Sequence, residues 1–490
     1  MGLGVVQADG FARDGLAGLG QGSSLRPSLA YLTNLVKMDG GATLAYVRSP
    51  LSRTARNVRI AAAITLLGIT AVTGGAAQGL PAGRSLPLGM DAGRLRRIDS
   101  VMQAFVDSGR VAGVVTLVAR HGRVVQSGAY GMADREAGRR MTTGALFRIA
   151  SQTKAVTSVA VMILVEAGRL RLDDPVSRLV PSFAHATVAS GSDTGLVRTP
   201  VARAITIRDL LTHTAGITYG TWSFAGDTLV PALYRAAGLG PAAGYGWYFA
   251  DKAEPICASI DRLGTLPFYS QPGRAFVYGY NTDILGCVVE RVSGMSLDAF
   301  ISSRILRPLR MHDTHFFVPP AQRDRLTAVY AARNDGTFER APEGPLGQGS
   351  YVDGPRTSFS GGAGLVSTAG DYARFLQMLL NAGELDGARI LSPRTVALMT
   401  ADQIDSVYGT RGMGFGLGFE ILEDPGLAGR FGAPGAYGWG GAYGSNYWVD
   451  PAEGLVAVFM IQLMPRGDLD LADRFHAMVY GAMTNQRTPR

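Results

Sequence analysis

The order of apolar and polar positions divides the chain into strands near its two ends and helices between them. Short apolar runs bounded by glycine or turn residues predict strands over residues 111–119, 123–129, 415–422, 437–449 and 455–462. Apolar residues at helical spacing predict helices over residues 90–109, 151–167, 283–293, 371–382, 393–399 and 469–483.

This distribution predicts an α+β fold in which one antiparallel sheet, built from both ends of the chain, is flanked by helices. Residues 90–168 and 401–485 form the predicted sheet domain, and residues 169–400 form a mainly helical inserted domain. The functional site is expected between the two domains. Residues 185–200 are rich in small polar residues and are expected to form a loop.

A segment that precedes this body has the order of a secretory signal peptide. Three arginines between residues 53 and 59 precede the apolar run 60–72, and small residues fill positions 74–77. We therefore expect residues 1–77 to be an N-terminal extension and signal peptide, and the protein to be exported to the periplasm or secreted. A single membrane anchor is the alternative, and Met38 is an alternative start site. No other segment predicts a membrane span, so none is expected after processing.

Composition and charge narrow the function classes. The 490-residue chain is 47% apolar and 18% charged, which suits a large buried core and not a disordered chain. Its net charge is +8, but residues 1–77 hold seven basic and three acidic residues, which accounts for half of that charge. The body has no basic stripe interleaved with aromatic residues, so a nucleic-acid partner is not expected.

The two cysteines, Cys257 and Cys287, are too few for a zinc site or a disulfide framework. Cys287 lies in an apolar helical pattern, so a small buried thiol is the expected state. A single bridge between the two is the less favoured alternative. Aspartate and histidine residues lack metal-ligand spacing, so neither a metal nor a cofactor is expected.

The first candidate for chemistry is the sequence Ser-Gln-Thr-Lys from Ser151 to Lys154, at the start of a predicted helix. The i, i+3 spacing puts the hydroxyl and the amine on one helix face. A serine needs an adjacent base to become a nucleophile, and a lysine can serve where its surroundings favour the neutral amine. A serine cap followed by an exposed lysine is the alternative, but this helix is too apolar for the start of an ordinary surface helix.

Two further segments carry groups that such a reaction needs. Tyr278, within residues 276–281, has a hydroxyl that can relay a proton between nucleophile and leaving group. The glycine-rich residues 438–444 allow a ligand to approach the backbone, and an N–H there could complete an oxyanion hole with that of Ser151. Taken alone, aromatic packing and a glycine-rich edge strand are the alternatives.

In their order and separation, these three elements resemble those of the serine β-lactamase and penicillin-binding-protein superfamily. The resemblance extends to residues 210–216 (Leu-Leu-Thr-His-Thr-Ala-Gly), 309–316 and 362–368, and covers about residues 92–485. Within the superfamily the chain is most similar to class C β-lactamases and, above all, to family VIII carboxylesterases.

The resemblance implies that Ser151 is the acylated nucleophile, Lys154 its base and Tyr278 the second proton carrier. It implies a serine hydrolase that cleaves carboxylic esters through an acyl-enzyme, with a small ester or amide as substrate. His213, in the loop of residues 210–216, is expected to be structural, because loop histidines in such motifs mostly fix backbone.

The resemblance also implies substrate contacts from the segment Trp439-Gly440-Gly441, which stands in the place of a Lys-Thr-Gly motif. The N–H of Ala442 would be the second oxyanion donor. Trp439 replaces a lysine that meets the substrate carboxylate in β-lactamases, and Tyr280 occupies the position of their amide-binding asparagine. Both changes remove polar contacts for a β-lactam and add aromatic surface, which favours an esterase.

Two other functions compete with this one. A class C-like β-lactamase or D-amino-acid peptidase would use the same residues, and a non-catalytic peptidoglycan-binding protein would keep only the fold. The intact Ser151, Lys154 and Tyr278 argue against the non-catalytic protein. The Gly-x-Ser-x-Gly elbow, the His-Glu-x-x-His motif and the phosphate loop are absent from the sequence, which disfavours other hydrolase classes. The sequence carries no prediction of the oligomeric state.

Overall fold

The computed structural model describes residues 79–192, 195–219, 229–239, 251–333, 335–345, 347–465 and 467–484. Every structural statement below concerns these residues. The predicted extension and signal peptide, residues 1–77, lie outside them. Within the described ranges, no helix is both long enough and apolar enough to cross a membrane.

The strands of the described residues are mostly short, apart from a group near the two ends of the sequence. They are β1 (Gly113–Arg120), β2 (Arg123–Asp134), β3 (Arg139–Arg140), β4 (Phe147–Arg148), β5 (Thr187–Ser192), β6 (Gly195–Pro200), β7 (Tyr330–Ala332), β8 (Phe338–Arg340), β9 (Val366–Ser367), β10 (Glu384–Leu385), β11 (Ala388–Arg389), β12 (Met413–Phe415), β13 (Glu420–Leu422), β14 (Tyr437–Gly440), β15 (Asn446–Asp450) and β16 (Leu455–Ile461).

The helices lie mainly between the strands near the beginning of the sequence and those near its end. They are α1 (Ala92–Asp107), α2 (Thr153–Glu166), α3 (Ile207–Leu211), α4 (Leu229–Ala236), α5 (Ile256–Leu263), α6 (Asn281–Ser293), α7 (Leu297–Ile301), α8 (Ala369–Leu380), α9 (Pro393–Met399), α10 (Pro425–Ala428) and α11 (Leu471–Gly481).

One antiparallel sheet of eight strands organises the molecule, in the order β12-β13-β14-β15-β16-β1-β2-β3. Its centre is the pair β16–β1, in which Val114 lies opposite Ile461. Strand β1 is buried along its whole length because helices cover both faces of the sheet. Val115 packs in the core that contains α2 and α8, whereas Val118 packs with α1 and α11 on the other face. The predicted α+β architecture is confirmed, and the division into two domains stays a prediction.

Local sequence signals set several helix ends. Thr206 and Asp209 form a capping box at the start of α3, in which each side chain bonds the backbone of the other. Ser392 caps α9 by accepting from a backbone N–H of the first turn. Gly294 ends α6 with φ of +73°, a conformation that glycine adopts without a steric cost.

Three segments differ from the predicted secondary structure. Residues 415–422 and 437–449, each predicted as a single strand, contain the turns between β12 and β13 and between β14 and β15. Gly418 and Gly444 have φ of +98° and +88° in these turns, so the chain reverses where a continuous strand was expected. Residues 185–200, predicted as a loop, contain the hairpin β5–β6.

The two cysteines also differ from the prediction. Cys257 in α5 and Cys287 in α6 are bonded to each other, with an S–S distance of 2.01 Å and a Cα–Cα distance of 5.0 Å. The expected free thiol at Cys287 is therefore wrong. The pairing depends on how α5 packs against α6, which the separation of 30 residues along the chain does not reveal.

The beginning and the end of the described core lie side by side. Met90 and Met483 form a bridge, and the N–H of Asp91 donates to the carbonyl of Ala482 at 2.7 Å. Together with the β1–β16 pair, these bonds join segments almost 400 residues apart in the sequence into one layer.

Candidate active site

Ser151 lies at a sharp turn between strand β4 and helix α2. Residues 150–152 form one 3-10 turn, and Ala150 has φ of +44°, in the left-handed region that residues with a Cβ rarely occupy. Ala150 is fully buried, so the surrounding packing holds this conformation. The turn directs Ser151 into a cavity at the edge of the sheet.

Lys154 lies in the first turn of α2 with its Nζ 3.2 Å from Ser151 Oγ. The same Nζ donates to the hydroxyl of Tyr219 at 2.9 Å and to the carbonyl of Gly362 at 2.8 Å. The side chain is buried, and these three neutral oxygens are its hydrogen-bond partners among the described residues. A buried amine held by neutral oxygens, and not by a carboxylate, can exchange a proton with the neighbouring serine.

Tyr278 lies over the amine of Lys154, with Nζ 4.7 Å from the ring centroid. Its hydroxyl oxygen accepts a hydrogen bond from Trp439 Nε1 at 3.1 Å. The described contacts therefore give Tyr278 a face-on contact with the lysine and an indole N–H that fixes the phenol oxygen. Tyr278 also lines the cavity beside Ser151.

The segment after β14 brings backbone N–H groups next to the serine. Gly441 approaches so closely that a Cβ there would lie 2.6 Å from the carbonyl oxygen of Ile149, so the position requires glycine. Its own N–H donates to Ser445 at 2.7 Å, whereas the N–H groups of Ala442 and Ser151 donate to no other described residue. Two backbone donors that remain available beside a candidate nucleophile are what an oxyanion hole requires.

These groups open onto a cavity with a volume of about 410 Å³. The structure brings together in its lining most of the residues predicted for the site: Ser151, Tyr278, Trp439, Gly440, Gly441 and Ala442. Lys154 lies behind Ser151. The far wall is partly polar and partly aromatic, and includes Glu420, Arg430, Phe431, His476 and Tyr480.

Tyr219 is a site residue that the sequence analysis did not single out. It is buried, its hydroxyl contacts Lys154, and its ring lies edge-on to that of Tyr278 with centroids 5.7 Å apart. Burial, with a smaller effect from Tyr278, raises the pKa of Tyr219 well above the ordinary value of a tyrosine. Tyr219 therefore stays a neutral phenol that holds the lysine, and its position just after the loop of residues 210–216 was the only sequence signal.

Tyr280, which the resemblance implied as a substrate contact, packs beside Tyr219. Its side chain is buried, and its hydroxyl donates to the carbonyl of Leu239. Its ring packs edge-on against Tyr219, with centroids 4.8 Å apart. Tyr280 is not among the described residues that line the cavity, and its role as a substrate contact stays a prediction.

His213 is buried and packs against the ring of Tyr278, with centroids 4.7 Å apart. Asn281, at the start of α6, bonds the ring nitrogen Nδ1 at 2.9 Å. Burial, reinforced by the charge of Lys154, lowers the pKa of His213 well below its ordinary value, so the imidazole is neutral. Its position is that of a support for the loop and for Tyr278.

Among the described residues, no group of three or more histidine, cysteine, aspartate or glutamate side chains is arranged to hold a metal ion. The chemistry derived for the site rests on the serine, the lysine, the tyrosines and the backbone N–H groups.

Comparison with known proteins agrees with this geometry. The family described as Beta-lactamase matches residues 98–481. Esterase EstB of Burkholderia gladioli is 35% identical over 390 residues, which covers 76% of this chain and 91% of that esterase. The lovastatin esterase of Penicillium rubens is 29% identical over 411 residues, which covers 78% of this chain and 98% of that enzyme.

The solved structures include proteins of the same fold. The structure titled EstCE1, a hydrolase with promiscuous acyltransferase activity, matches with a TM-score of 0.67 and 30% sequence identity. The match covers 80% of this chain and 99% of that chain.

Proposed function

The chain belongs to the β-lactamase family, and on that premise we propose that it is a serine hydrolase that cleaves carboxylic esters through an acyl-enzyme on Ser151. The family supplies the fold and the type of chemistry. The ester substrate is supported by the similarity to Esterase EstB and the lovastatin esterase, and by the side chains of the cavity.

One observation carries the proposal: the hydrogen bond of 3.2 Å between Lys154 Nζ and Ser151 Oγ at the mouth of the cavity. A serine hydroxyl is a weak nucleophile unless a base takes its proton as it attacks. The described contacts of Lys154 include no carboxylate, so no ion pair competes for the proton.

In the acylation step, Ser151 Oγ forms a bond to the ester carbonyl carbon while its proton moves to Lys154 Nζ. The carbonyl oxygen becomes an oxyanion, for which the N–H groups of Ser151 and Ala442 are the available donors. The bond to the alcohol oxygen then breaks, and that oxygen leaves as an alcohol once it receives a proton. Tyr278 lines the cavity and contacts the lysine, so it can pass the proton to the leaving group.

In the deacylation step, water takes the place of the alcohol. As the water oxygen bonds to the acyl carbon, the phenol of Tyr278, held by Trp439 Nε1, takes a proton from the water and gives its own proton to Lys154. The bond between the acyl carbon and Ser151 Oγ then breaks, Lys154 returns a proton to Ser151 Oγ, and the carboxylic acid leaves. Tyr219 stays a neutral phenol through the cycle because burial raises its pKa.

The cavity favours an ester over a β-lactam because it offers little to a substrate carboxylate. Trp439, in the place of a lysine, carries no charge and uses its N–H on Tyr278. Arg430 is the single arginine or lysine of the described lining, and its guanidinium is paired with Glu420 at 3.0 Å. Burial lowers the pKa of His476, which also lines this wall, to about 4, so it is neutral at pH 7.

The experiment compares a chromogenic short-chain ester with a chromogenic cephalosporin on the same enzyme preparation. We expect a much higher kcat/KM for the ester, and no turnover of it by Ser151→Ala. Mass mapping after a covalent serine reagent should locate the label on Ser151 and leave Ser445 unmodified, because the Ser445 hydroxyl is buried and bonded to Ile461. A better rate with the cephalosporin, or with a D-alanyl peptide, would replace the ester assignment by the β-lactamase or peptidase alternative.

We further propose that the protein is exported and loses residues 1–77. The support is the basic, apolar and small-residue order of residues 53–77, and the bond between Cys257 and Cys287, since disulfides persist in oxidising compartments. Terminal sequencing of the protein from the periplasm or medium should find a start near Ala77. A mature product that retains residues 60–72 would indicate a membrane anchor.

A further inference from the structure

Asp283 is a buried carboxylate near the site that the steps above do not use. It lies in the first turn of α6 and is fully buried. Its Oδ1 accepts hydrogen bonds from the hydroxyl of Ser360 and from the N–H of Gly362, the latter at 3.1 Å. Its Oδ2 has no hydrogen-bond partner among the described residues. Burial raises the pKa of this carboxyl group, whereas the nearby charge of Lys154 and the bonds from Ser360 and Gly362 act to lower it, so its presence here calls for a physical account.

A continuous chain of hydrogen bonds connects this carboxylate to the catalytic lysine. Lys154 Nζ donates to the carbonyl of Gly362 at 2.8 Å. The N–H of the same peptide group, that of Ala363, donates to Ser360 Oγ at 3.0 Å. Ser360 in turn donates to Asp283 Oδ1. Every donor in the chain points toward the carboxylate, so each bond polarises the next in the same direction.

Gly361 and Gly362 allow this segment to lie close to helix α6. A Cβ at Gly362 would lie 2.4 Å from Asp283 Oδ2, and a Cβ at Gly361 would lie 2.5 Å from the carbonyl oxygen of Thr282. Side chains at either position would push the segment away from α6. The glycine-rich motif that resembles the family therefore has a physical reason, which is the close approach of a peptide group to a buried carboxylate.

The chain of hydrogen bonds affects the protonation of Lys154 in one direction. Negative charge at Asp283 draws the hydrogen-bond dipoles toward itself and increases the negative character of the Gly362 carbonyl oxygen, which stabilises the protonated amine. The carboxylate does not touch the amine, so it favours the ammonium without trapping the proton in a direct ion pair.

We propose that Asp283 is a positioning residue that, through this chain of hydrogen bonds, sets how readily Lys154 takes the proton of the nucleophile. The inference rests on the proposed function, because it requires the lysine to be the base. Other charged or titratable groups face the two ends of the chain: Ser151, Tyr219, Tyr278 and His213 face Lys154, and Tyr219 and Lys252 interact with Asp283.

The test measures the rate at which a phosphonate reagent labels Ser151 as a function of pH, together with ester hydrolysis. The labelling rate should rise with pH over an acidic limb, because the nucleophile needs a base that is free to take its proton. Asp283→Asn keeps the size and the acceptor oxygen of the side chain but removes its charge. We expect the acidic limb of the profile to move to lower pH by about one unit, because the ammonium loses a stabilising negative charge.

A second pair of variants distinguishes the effect of the hydrogen-bond chain from that of the charge on Asp283. Ser360→Ala keeps the carboxylate but removes the hydroxyl that links it to the peptide, so the limb should move in the same direction by roughly half as much. Ser358→Ala is the matched control, because this serine is also buried but its hydroxyl has no partner among the described residues. Its profile should coincide with that of the unaltered protein.

A purely structural role would lower the labelling rate at every pH without moving the limb. Unshifted limbs in Asp283→Asn and Ser360→Ala would therefore overturn the inference. If Asp283→Asn does not fold, the shift of Ser360→Ala relative to Ser358→Ala supports the inference, and its absence overturns it. Labelling of the unaltered protein at Ser151 without ester hydrolysis would instead overturn the proposed substrate, and the labelling profiles would still test Asp283.

Discussion

Replacing Trp439 by phenylalanine removes the indole N–H that donates to Tyr278 and keeps an aromatic ring at the same position of β14. The variant therefore tests what the phenol oxygen does during the reaction. If this oxygen gains negative charge in the transition state, the hydrogen bond strengthens as the barrier is crossed, and its loss lowers kcat. If the oxygen stays neutral throughout, the bond contributes about equally to ground state and transition state.

The two cases predict different magnitudes. A hydrogen bond between neutral groups contributes about 0.5–1.5 kcal/mol, whereas one to a charged group contributes about 1.5–3 kcal/mol. Only the strengthening of the bond between ground state and transition state lowers kcat, so the first case predicts almost no loss. In the second case the bond strengthens by about 1–2 kcal/mol, and since 1.36 kcal/mol corresponds to a factor of ten in rate, this predicts about a 5- to 30-fold loss. The proposed proton transfer through Tyr278 requires the second case, so we expect Trp439→Phe to lower kcat by about 5- to 30-fold.

The assay is steady-state hydrolysis of a short-chain ester by the unaltered protein, Trp439→Phe, Tyr278→Phe and the double variant. With the phenol hydroxyl already absent, Trp439→Phe should cost little more, because the bond it removes no longer exists. An equal loss in both backgrounds would refute the reasoning. It would show that the indole acts through its packing, which includes a contact with the ring of Phe415 at a centroid distance of 5.5 Å.

Three further predictions concern other parts of the site. Lys154→Arg keeps a positive charge that cannot be removed at working pH, so kcat should fall by at least about a thousandfold, whereas the matched change Lys252→Arg should have little effect; near-normal turnover would exclude the lysine as base. Burial, with a smaller effect from a nearby arginine, lowers the pKa of His476 from 6.5 to about 4, so the unfolded chain takes up a proton before the folded protein does. The free energy of unfolding should therefore fall as the pH drops from 6.5 to 4, by at most about 3 kcal/mol and by less where solvent reaches the ring. Urea unfolding of His476→Phe should show a free energy of unfolding without this contribution to its dependence on pH. Tyr280→Phe should lower the free energy of unfolding by about 1 kcal/mol, because the bond to Leu239 is lost, and should leave the ratio of kcat/KM for the ester to that for the cephalosporin unchanged. A tenfold change in this ratio would instead indicate that the Tyr280 hydroxyl contacts the substrate.

Local sequence patterns were sufficient where the physics is local. The apolar run predicted as a strand over residues 111–119 is found as β1. The capping box of Thr206 and the glycine after α6 also act within a few residues. The Ser-x-x-Lys spacing likewise fixes the distance between Ser151 and Lys154, because both lie within one turn at the start of α2.

The remaining features depend on packing between distant segments, which a single sequence does not display. Tyr219 was assigned no role from the sequence, and Tyr280 was placed among the expected substrate contacts. Only the fold shows that the Tyr219 hydroxyl contacts the lysine and that the Tyr280 hydroxyl contacts the carbonyl of Leu239. The bond between Cys257 and Cys287 similarly requires α5 to lie on α6. The turns within two predicted strands were missed because a glycine in an apolar run fits both a strand and a reversal.

The pairing of β1 with β16 also determines when the protein can fold during its synthesis. A ribosome makes β1 early, but its eight buried residues have no partner on that side until residues 455–461 emerge some 340 positions later. Contacts of such long sequence separation form slowly and leave apolar segments exposed in the meantime. The growing chain therefore presents β1 to chaperones or to aggregation for most of its synthesis. A chain that stops before Leu455 lacks the middle of its sheet, and not merely an edge.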